Sequence, residues 1–201
     1  MSRSFSQIAP ERRKAIFRHA LVASLPVLMG YVTMGFAAGV LMAAKGSVPV
    51  PPLWAGLCGA AFISGTLSFA IVAPIAASAP LWSVALLALG INFRYAFYGF
   101  SMLGRWRGAP FLQKCFLIHS LADEIYALDV ACKLEDPLEH RYYCLWNGAL
   151  NASYWVFGTT AGGLAGCSLP IPSRGIEFAM VALFLVIFTD QIREALFRHG
   201  R

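Results

Sequence analysis

Three long stretches of this chain contain no charged residue, and they constrain its fold more than any other feature. They are residues 20–44, 46–93 and 142–173, which are 25, 48 and 32 residues long. A helix needs about 20 predominantly apolar residues to cross a bilayer. Each stretch is long enough to cross once, and the second is long enough to cross twice. The pattern predicts an all-α, polytopic integral membrane helix bundle.

The composition agrees with this class and excludes an ordinary water-soluble domain. Of the 201 residues, 58% are hydrophobic and only 13% are charged, whereas globular domains carry roughly 25% charged residues. The net charge is +6. In a membrane protein such an excess of basic residues indicates which loops face the cytoplasm. We therefore expect the lipid bilayer, and not nucleic acid, as the partner of this surface.

Six apolar segments can be drawn along the chain: residues 20–44, 53–76, 81–103, 111–131, 143–167 and 178–189. The second is interrupted near Gly65, and the sixth has only 12 uncharged residues, which is short for a complete span. Some segments are therefore expected to be broken or re-entrant. We expect a basic amphipathic segment on the cytoplasmic surface at residues 1–19. A single transmembrane domain at residues 20–197 and a cytoplasmic tail at 198–201 would follow it.

A sequence repeat appears at an offset of 123 residues, with one copy beginning near residue 20 and the other near residue 143. The copies share the pattern Tyr-x3-Gly-x3-Gly: Tyr31, Gly35 and Gly39 in the first, Tyr154, Gly158 and Gly162 in the second. Small residues four positions apart let two membrane helices approach closely. We therefore assign these six residues to helix packing. Chance similarity between glycine-rich helices is the alternative.

The basic residues suggest how the segments are oriented. If Arg12 lies inside, Arg105 and Arg107 are expected inside as well. One interpretation lets the broken second segment enter the membrane and return, and sends the fourth segment outward. The two glycine helices would then run in opposite directions, as in the inverted repeats of secondary transporters. The alternative of six complete spans places Arg105 and Arg107 outside.

The fourth segment contains acidic residues, which membrane segments normally lack. Asp123 and Glu124 lie within it, and Asp129 lies near its end. A charge at the bilayer centre costs about 2.5–3.5 kcal/mol on insertion scales. In one continuous helix over residues 111–131, His119 and Asp123 share a polar face with Glu124 beside them. A substrate or proton site at Asp123 and Glu124 and a structural ion pair both remain open, and Asp129 is expected to be solvated.

The third segment contains Arg94, the only arginine within an apolar segment, with Asn92 before it and Tyr98 one turn later. Arg94 has three available roles. It can pair with the acids of the fourth segment, bind a substrate carboxylate with two parallel hydrogen bonds, or extend its charged end to the membrane surface.

The break in the second segment is a third candidate site. It contributes Ser64, Gly65, Thr66 and Ser68. Exposed backbone groups at such breaks are tolerated only when they are buried in protein or line a cavity. Transporters use them to hold the charged ends of substrates. Ordinary helix packing through small residues is the alternative.

Sequence signatures of enzymes are absent. The chain contains no HExxH pair, no GxSxG elbow and no phosphate-binding loop with Lys-Ser/Thr. Its four histidines are scattered, and its five cysteines show no paired spacing. We expect no catalytic residue, no cofactor and no metal ion.

Six motifs, in their order and spacing, resemble the AzlC-type family of large subunits of bacterial branched-chain amino acid exporters. They are LPVLMGYVTMGFAAG, FISGTLSF, INFRYAFYGFS, LADEIYALD, YWVFGTTAGGLAG and GIEFAMVALF, over about residues 20–190. The resemblance implies an exporter of branched-chain or other small apolar amino acids in the bacterial inner membrane. The basic residues near both ends of the chain predict that both termini are cytoplasmic. The resemblance also implies a proton or ion gradient as the energy source, and a small hydrophobic partner subunit of the AzlD type.

Two positions depart from the family pattern. Ser68 stands where the family usually has glutamine, and Tyr95 follows Arg94 where the family often has histidine. Both lie in candidate binding regions, so the substrate need not resemble valine. The resemblance also leads us to expect further apolar segments beyond the sixth. A membrane scaffold without transport activity, in which the acids only pair with Arg94, is the second hypothesis.

Overall fold

The computed structural model describes residues 5–44 and 52–168, together with Phe178 and Thr189. A short 3-10 turn at Phe5–Gln7 precedes the α-helices, and these residues contain no strand. The helices are α1 Pro10–Ala44, α2 Pro52–Ala61, α3 Gly65–Ala70, α4 Val72–Ala76, α5 Leu81–Met102, α6 Phe111–His119, α7 Asp123–Ala131 and α8 Pro137–Ser168. The predicted all-α class is confirmed. Apart from Phe178 and Thr189, the sixth predicted segment lies outside the described residues, as does the predicted tail at 198–201.

Two of the described helices are long and apolar enough to cross a membrane, over Pro10–Ala43 and Leu81–Met102. The first begins within the predicted basic segment, so that this segment and the first apolar segment form one helix, α1. Its 35 residues extend about 52 Å at 1.5 Å per residue. Proline suits the first position of a helix, since its missing N–H would be unpaired there in any case. α8 is almost as long but carries buried polar side chains, which lower its hydropathy.

α8 is the central helix, and α1 packs along it through the glycines of the repeat: Gly35, Gly39, Gly158 and Gly162. A Cβ atom added at Gly158 would lie 2.8 Å from the carbonyl oxygen of Val32, and one added at Gly162 would overlap the carbonyl of Phe36. The two backbones are therefore in direct contact. Only glycine leaves room for this approach.

Residue numbers increase in the same direction along the two helices, since Arg12 contacts Glu139, Phe17 contacts Trp146, and Gly39 contacts Gly162. α1 and α8 therefore run parallel. The expectation that the two glycine helices run in opposite directions is wrong. That interpretation placed the acidic loop before α8 on the far side of the membrane from Arg12, whereas Glu139 accepts two hydrogen bonds from Arg12, at 2.8 and 2.7 Å.

α5 runs antiparallel to α1 and returns the chain to the end of the bundle where α1 begins. Trp106, just beyond α5, is fully buried and packs in one apolar cluster with Ile8, Ile16 and Leu138. Arg105 therefore lies at the same end as Arg12. We call this the basic end of the bundle.

The second segment is broken where the sequence predicts it. Residues 62–64 separate α2 from α3, and Ser64 caps the new helix by accepting a hydrogen bond from the Leu67 N–H. α2 descends beside the C-terminal part of α8, where Gly56 and Gly59 face Thr160 and Thr159. Because α5 begins at the end opposite the basic end, α3 and α4 must lead back to it. This segment enters the bundle and returns.

The fourth segment is also broken, contrary to the prediction of one continuous helix. α6 rises from the basic end until His119 reaches the carbonyl oxygen of Ala60, at 2.8 Å. α7 then descends until Cys132 joins the apolar cluster of the basic end. The prediction that this segment crosses outward is therefore wrong. The two broken segments enter from opposite ends and meet in the middle of the bundle.

Cross-linking can test the parallel packing of α1 and α8. We expect a short bis-maleimide to join Arg12→Cys to Glu139→Cys in a variant whose five native cysteines are replaced, because the two side chains are in contact. Mass spectrometry of the linked peptide provides the readout. The control pair, Arg12→Cys with Leu164→Cys, is separated by about 38 Å along α8 and should remain unlinked. Linkage of the control pair alone would contradict the parallel arrangement.

Candidate functional site

The acids of the fourth segment lie at the start of a helix. Ala122 is extended, with φ −131° and ψ 174°, and Asp123 and Glu124 form the first turn of α7. The first turn of a helix has unpaired N–H groups and the positive end of the helix dipole, both of which stabilise carboxylates. The break therefore offsets part of the cost of placing acids inside the bundle.

Asp123 is held by residues of α5. The Arg94 Nη1 atom lies 2.9 Å from Asp123 Oδ2, and the Tyr98 hydroxyl donates to Oδ1 at 2.9 Å. The guanidinium also lies over the ring of Tyr95, 5.2 Å from its centroid. The Arg94 and Asp123 side chains remain 40% and 38% exposed. The ion pair is formed but accessible.

Glu124 points to α1 instead. The Tyr31 hydroxyl donates to Glu124 Oε2 at 2.9 Å, and the Tyr31 ring packs edge-on against Trp155. Its counterpart in the repeat, Tyr154, has its hydroxyl 3.2 Å from Ser24 Oγ. Tyr31, which the sequence assigns to helix packing, therefore also donates a hydrogen bond to a carboxylate. The spacing of the repeat could not distinguish the two tyrosines.

The break in the second segment joins the same polar group. Ser64 Oγ donates to Asn92 Oδ1 at 3.0 Å and lies 3.3 Å from the Tyr95 hydroxyl. The Tyr95 hydroxyl in turn accepts from Arg94 Nη2 at 3.5 Å. Polar side chains therefore connect the Ser64 break to the acid at the start of α7. We call Ser64, Asn92, Arg94, Tyr95, Tyr98, Asp123, Glu124 and Tyr31 the central polar cluster.

The other candidates from the two breaks lie beside this cluster. A Cβ at Gly65 would make ordinary contacts with Met34 and Trp155, so this glycine packs in the core. Thr66 is partly exposed on α3. Ser68 is buried, and its hydroxyl has no hydrogen-bond partner among the described residues. His119 contacts α2 and does not share a face with the acids, because the helix ends at it.

A second polar group was missed by the sequence analysis. Asp129 is fully buried, not solvated as expected, and its Oδ1 accepts from Asn147 Nδ2 at 2.9 Å. Asn151 donates in turn to Asn147 Oδ1 at 2.8 Å. Two asparagines four residues apart in an uncharged segment could have indicated a buried polar site, since both project from one face of the helix. Within the described part of the chain no group of three His, Cys, Asp or Glu side chains is arranged to hold a metal ion.

Chemically, the central polar cluster offers one accessible cation next to two carboxylates. A zwitterionic ligand has the complementary charges, a carboxylate for Arg94 and an ammonium for Asp123 or Glu124. Tyr31 and Trp155 are buried beside these charges, and the partly exposed Met34 packs against them.

Comparison with known proteins places this architecture in a family. The family model described as "AzlC protein" matches residues 26–169. The chain belongs to the AzlC family. A "Branched-chain amino acid transport protein AzlC" of Bacillus subtilis is 28% identical, over 88% of this chain and 68% of its own length.

Other relatives of this AzlC-family chain are named as membrane proteins. The "Inner membrane protein YgaZ" of Escherichia coli is 28% identical, over 88% of this chain and 73% of its own length. An "Uncharacterized membrane protein" of Haemophilus influenzae is 35% identical, over 90% and 71%. No solved structure matches the chain. The predicted family and membrane class are thereby confirmed, and the matched range contains all of the central polar cluster.

Proposed function

We propose that this AzlC-family protein is a secondary transporter that exports branched-chain or other small apolar amino acids across the bacterial inner membrane. The observation that carries the proposal is the accessible Arg94–Asp123 pair, which lies where two broken helices meet. Sites at broken helices near the membrane midplane are typical of secondary transporters. The name of the Bacillus subtilis relative supports the substrate class.

Substrate binding replaces one ion pair by two. The amino acid carboxylate takes the place of Asp123 on Arg94, and its ammonium takes the place of Arg94 on Asp123, with Glu124 one residue away. Because the protein charges are already paired in the absence of substrate, neither is left buried and unpaired when the substrate leaves. Such an exchange favours the modest affinity that a transporter needs for release.

The apolar side chain of the substrate lies against Met34, which is partly exposed where the buried Tyr31 and Trp155 pack beside the cluster. Burying a Val, Leu or Ile side chain contributes about 1.5–3 kcal/mol. A charged side chain at the same place would be desolvated without a partner. The site therefore selects small apolar amino acids over acidic or basic ones.

A proton or ion gradient supplies the energy, and the protein works with a small hydrophobic subunit of the AzlD type. Support for a partner comes from α5, whose outer face presents a stripe of exposed apolar residues three or four positions apart: Leu86, Leu89, Phe93, Phe97 and Phe100. Phe93 and Phe97 of this stripe lie beside Arg94 on α5, and the Arg94 side chain is 40% exposed. Purification of the tagged protein with a co-expressed AzlD-type subunit tests the partnership, and recovery of the large subunit alone contradicts it.

One observation favours the rival function of a scaffold. Arg94 and Asp123 already form a closed pair, supported by the Tyr98 hydroxyl. A purely structural pair has the same geometry. The two functions differ in what happens when an amino acid is supplied.

Counterflow in proteoliposomes separates transporter from scaffold. Vesicles loaded with unlabelled leucine and diluted into labelled leucine should accumulate label transiently, and isoleucine and valine should compete. Lysine and glutamate serve as controls that should not compete. The assay is run with and without the small subunit. Accumulation no greater than in protein-free vesicles under both conditions would contradict the transporter.

A further inference from the structure

The carboxylate of Asp129 is buried, and it forms no ion pair with a Lys, Arg or His side chain in the part of the chain that the structure describes. The residue has no exposed surface, and its Oδ2 atom has no hydrogen-bond partner among the described residues. Arg105 approaches, but its Nη1 atom donates to the backbone oxygen of Asp129, at 3.4 Å. A buried charge is costly unless it is paired. Protonation removes this cost, because a carboxylic acid is neutral.

Several other titratable groups surround Asp129. From α8, His140 Nε2 donates to the Asp129 carbonyl at 2.9 Å, and Cys144 Sγ lies 3.4 Å from His140 Nδ1. The other titratable neighbours are Arg105, Cys132 and Tyr143, while Tyr31 of α1 faces the opposite end of α7. Arg105 is exposed at the basic end, whereas His140 is 4% exposed. Along α8, His140 lies nearer to the basic end than Asn147, which holds the Asp129 carboxyl group.

Asn147 links the carboxyl group to the helix that holds the central polar cluster. Its Nδ2 atom donates both to Asp129 Oδ1 at 2.9 Å and to the Ile125 carbonyl at 3.3 Å. Asn151 Oδ1 is a buried acceptor without a hydrogen-bond partner in the described part of the chain. When Asp129 gains a proton, its carboxyl group can donate a hydrogen bond as well as accept one. Asp123 begins the same nine-residue helix, so this helix connects the Asp129 carboxyl group to the Arg94–Asp123 pair.

We infer that Asp129 is a proton-binding site, reached from the basic end past His140, that couples a proton gradient to transport. The inference rests on the proposed function. It assigns different roles to Asp123 and Asp129, two acids of one helix. Asp123 is accessible, paired with Arg94 and suited to binding substrate, whereas Asp129 is fully buried, forms no ion pair with a described residue and is suited to carrying a proton. Buried acids inside membrane bundles commonly serve as such relays.

The test compares two rates for Asp129→Asn in proteoliposomes: leucine uptake driven by a pH gradient, and leucine counterflow without a gradient. The ratio of driven uptake to counterflow should fall by at least about tenfold, a coupling within the usual range between two sites. A merely structural role lowers both rates and leaves their ratio unchanged, which would overturn the inference. Glu135→Gln, an exposed acid in the loop before α8, should retain the ratio of the unaltered protein.

A second measurement does not depend on transport. Infrared spectroscopy of the lipid-reconstituted protein should show a protonated carboxyl band that titrates with pH and is missing in Asp129→Asn. A spectrum in which the variant and the unaltered protein titrate identically overturns the proton site even when leucine is transported. Conversely, an Asp129-dependent band in a protein without leucine counterflow retains the proton site and rejects the amino acid substrate.

Discussion

Arg94→Gln is expected to reduce leucine counterflow by at least about thirtyfold, which corresponds to about 2 kcal/mol. Truncating one partner of a hydrogen-bonded charge pair costs about 2–5 kcal/mol, and the lower end applies because both side chains are more than a third exposed. Glutamine retains two donors but no charge, so it leaves Asp123 without its cation and the substrate carboxylate without its partner. The rate in proteoliposomes at matched protein content provides the measurement.

Two controls determine whether this loss reflects binding or structure. Arg107→Gln removes an exposed arginine that lies outside the central polar cluster and should retain counterflow. The charge swap, Arg94→Asp with Asp123→Arg, rebuilds an ion pair with the opposite polarity. We expect the swapped protein to be recovered folded but without counterflow, since the substrate would meet the wrong sign at each site. Full counterflow in the swapped protein would show that the Arg94–Asp123 pair is structural and that neither side chain binds the substrate.

Gly39→Leu is expected to destabilise the bundle by about 3 kcal/mol or more. Overpacking usually costs about 1–3 kcal/mol, occasionally more, and here relief is difficult because the neighbours are backbone atoms. A Cβ at Gly39 would lie 2.7 Å from the Gly163 nitrogen and 3.0 Å from the Gly162 carbonyl carbon, and it would overlap the Thr159 carbonyl oxygen. Separation of α1 from α8 is the only way to accommodate leucine.

The matched control for this substitution lies on the same helix. Gly30 has nothing within 4 Å of the position where its Cβ would be, so Gly30→Leu should leave the protein folded. Monodisperse recovery in detergent and the midpoint of thermal unfolding give the readout. Equal yields and midpoints for the two variants would show that α1 and α8 do not pack through the repeat.

The class of the protein and one of its breaks could be predicted from the sequence, because both depend on local chemistry. The uncharged runs exceed the length of a bilayer span, and Ser64 followed by glycine starts a new helix through its side-chain cap. The pairing of Arg94 with Asp123 could also be predicted, since Arg94 is the only arginine within an apolar segment.

The direction of the helices and the second break were not predicted. A pattern of small residues indicates which faces approach but is the same for parallel and antiparallel neighbours. The second break had a signal that was overlooked, since Asp123 and Glu124 suit the first turn of a helix. Asp129 is buried by α8, which begins six residues after α7 ends. The position of Asp129 along the fourth segment does not indicate that a later helix covers it.

Counterflow of labelled leucine by the double variant Asp123→Asn with Glu124→Gln tests the central claim most directly. Both substitutions retain size and remove charge, and the matched control, Glu11→Gln with Glu135→Gln, neutralises two exposed acids near the basic end. We predict that the control transports at the rate of the unaltered protein, while the double variant falls to the level of protein-free vesicles. Full counterflow by the folded double variant would contradict a substrate site at the start of α7.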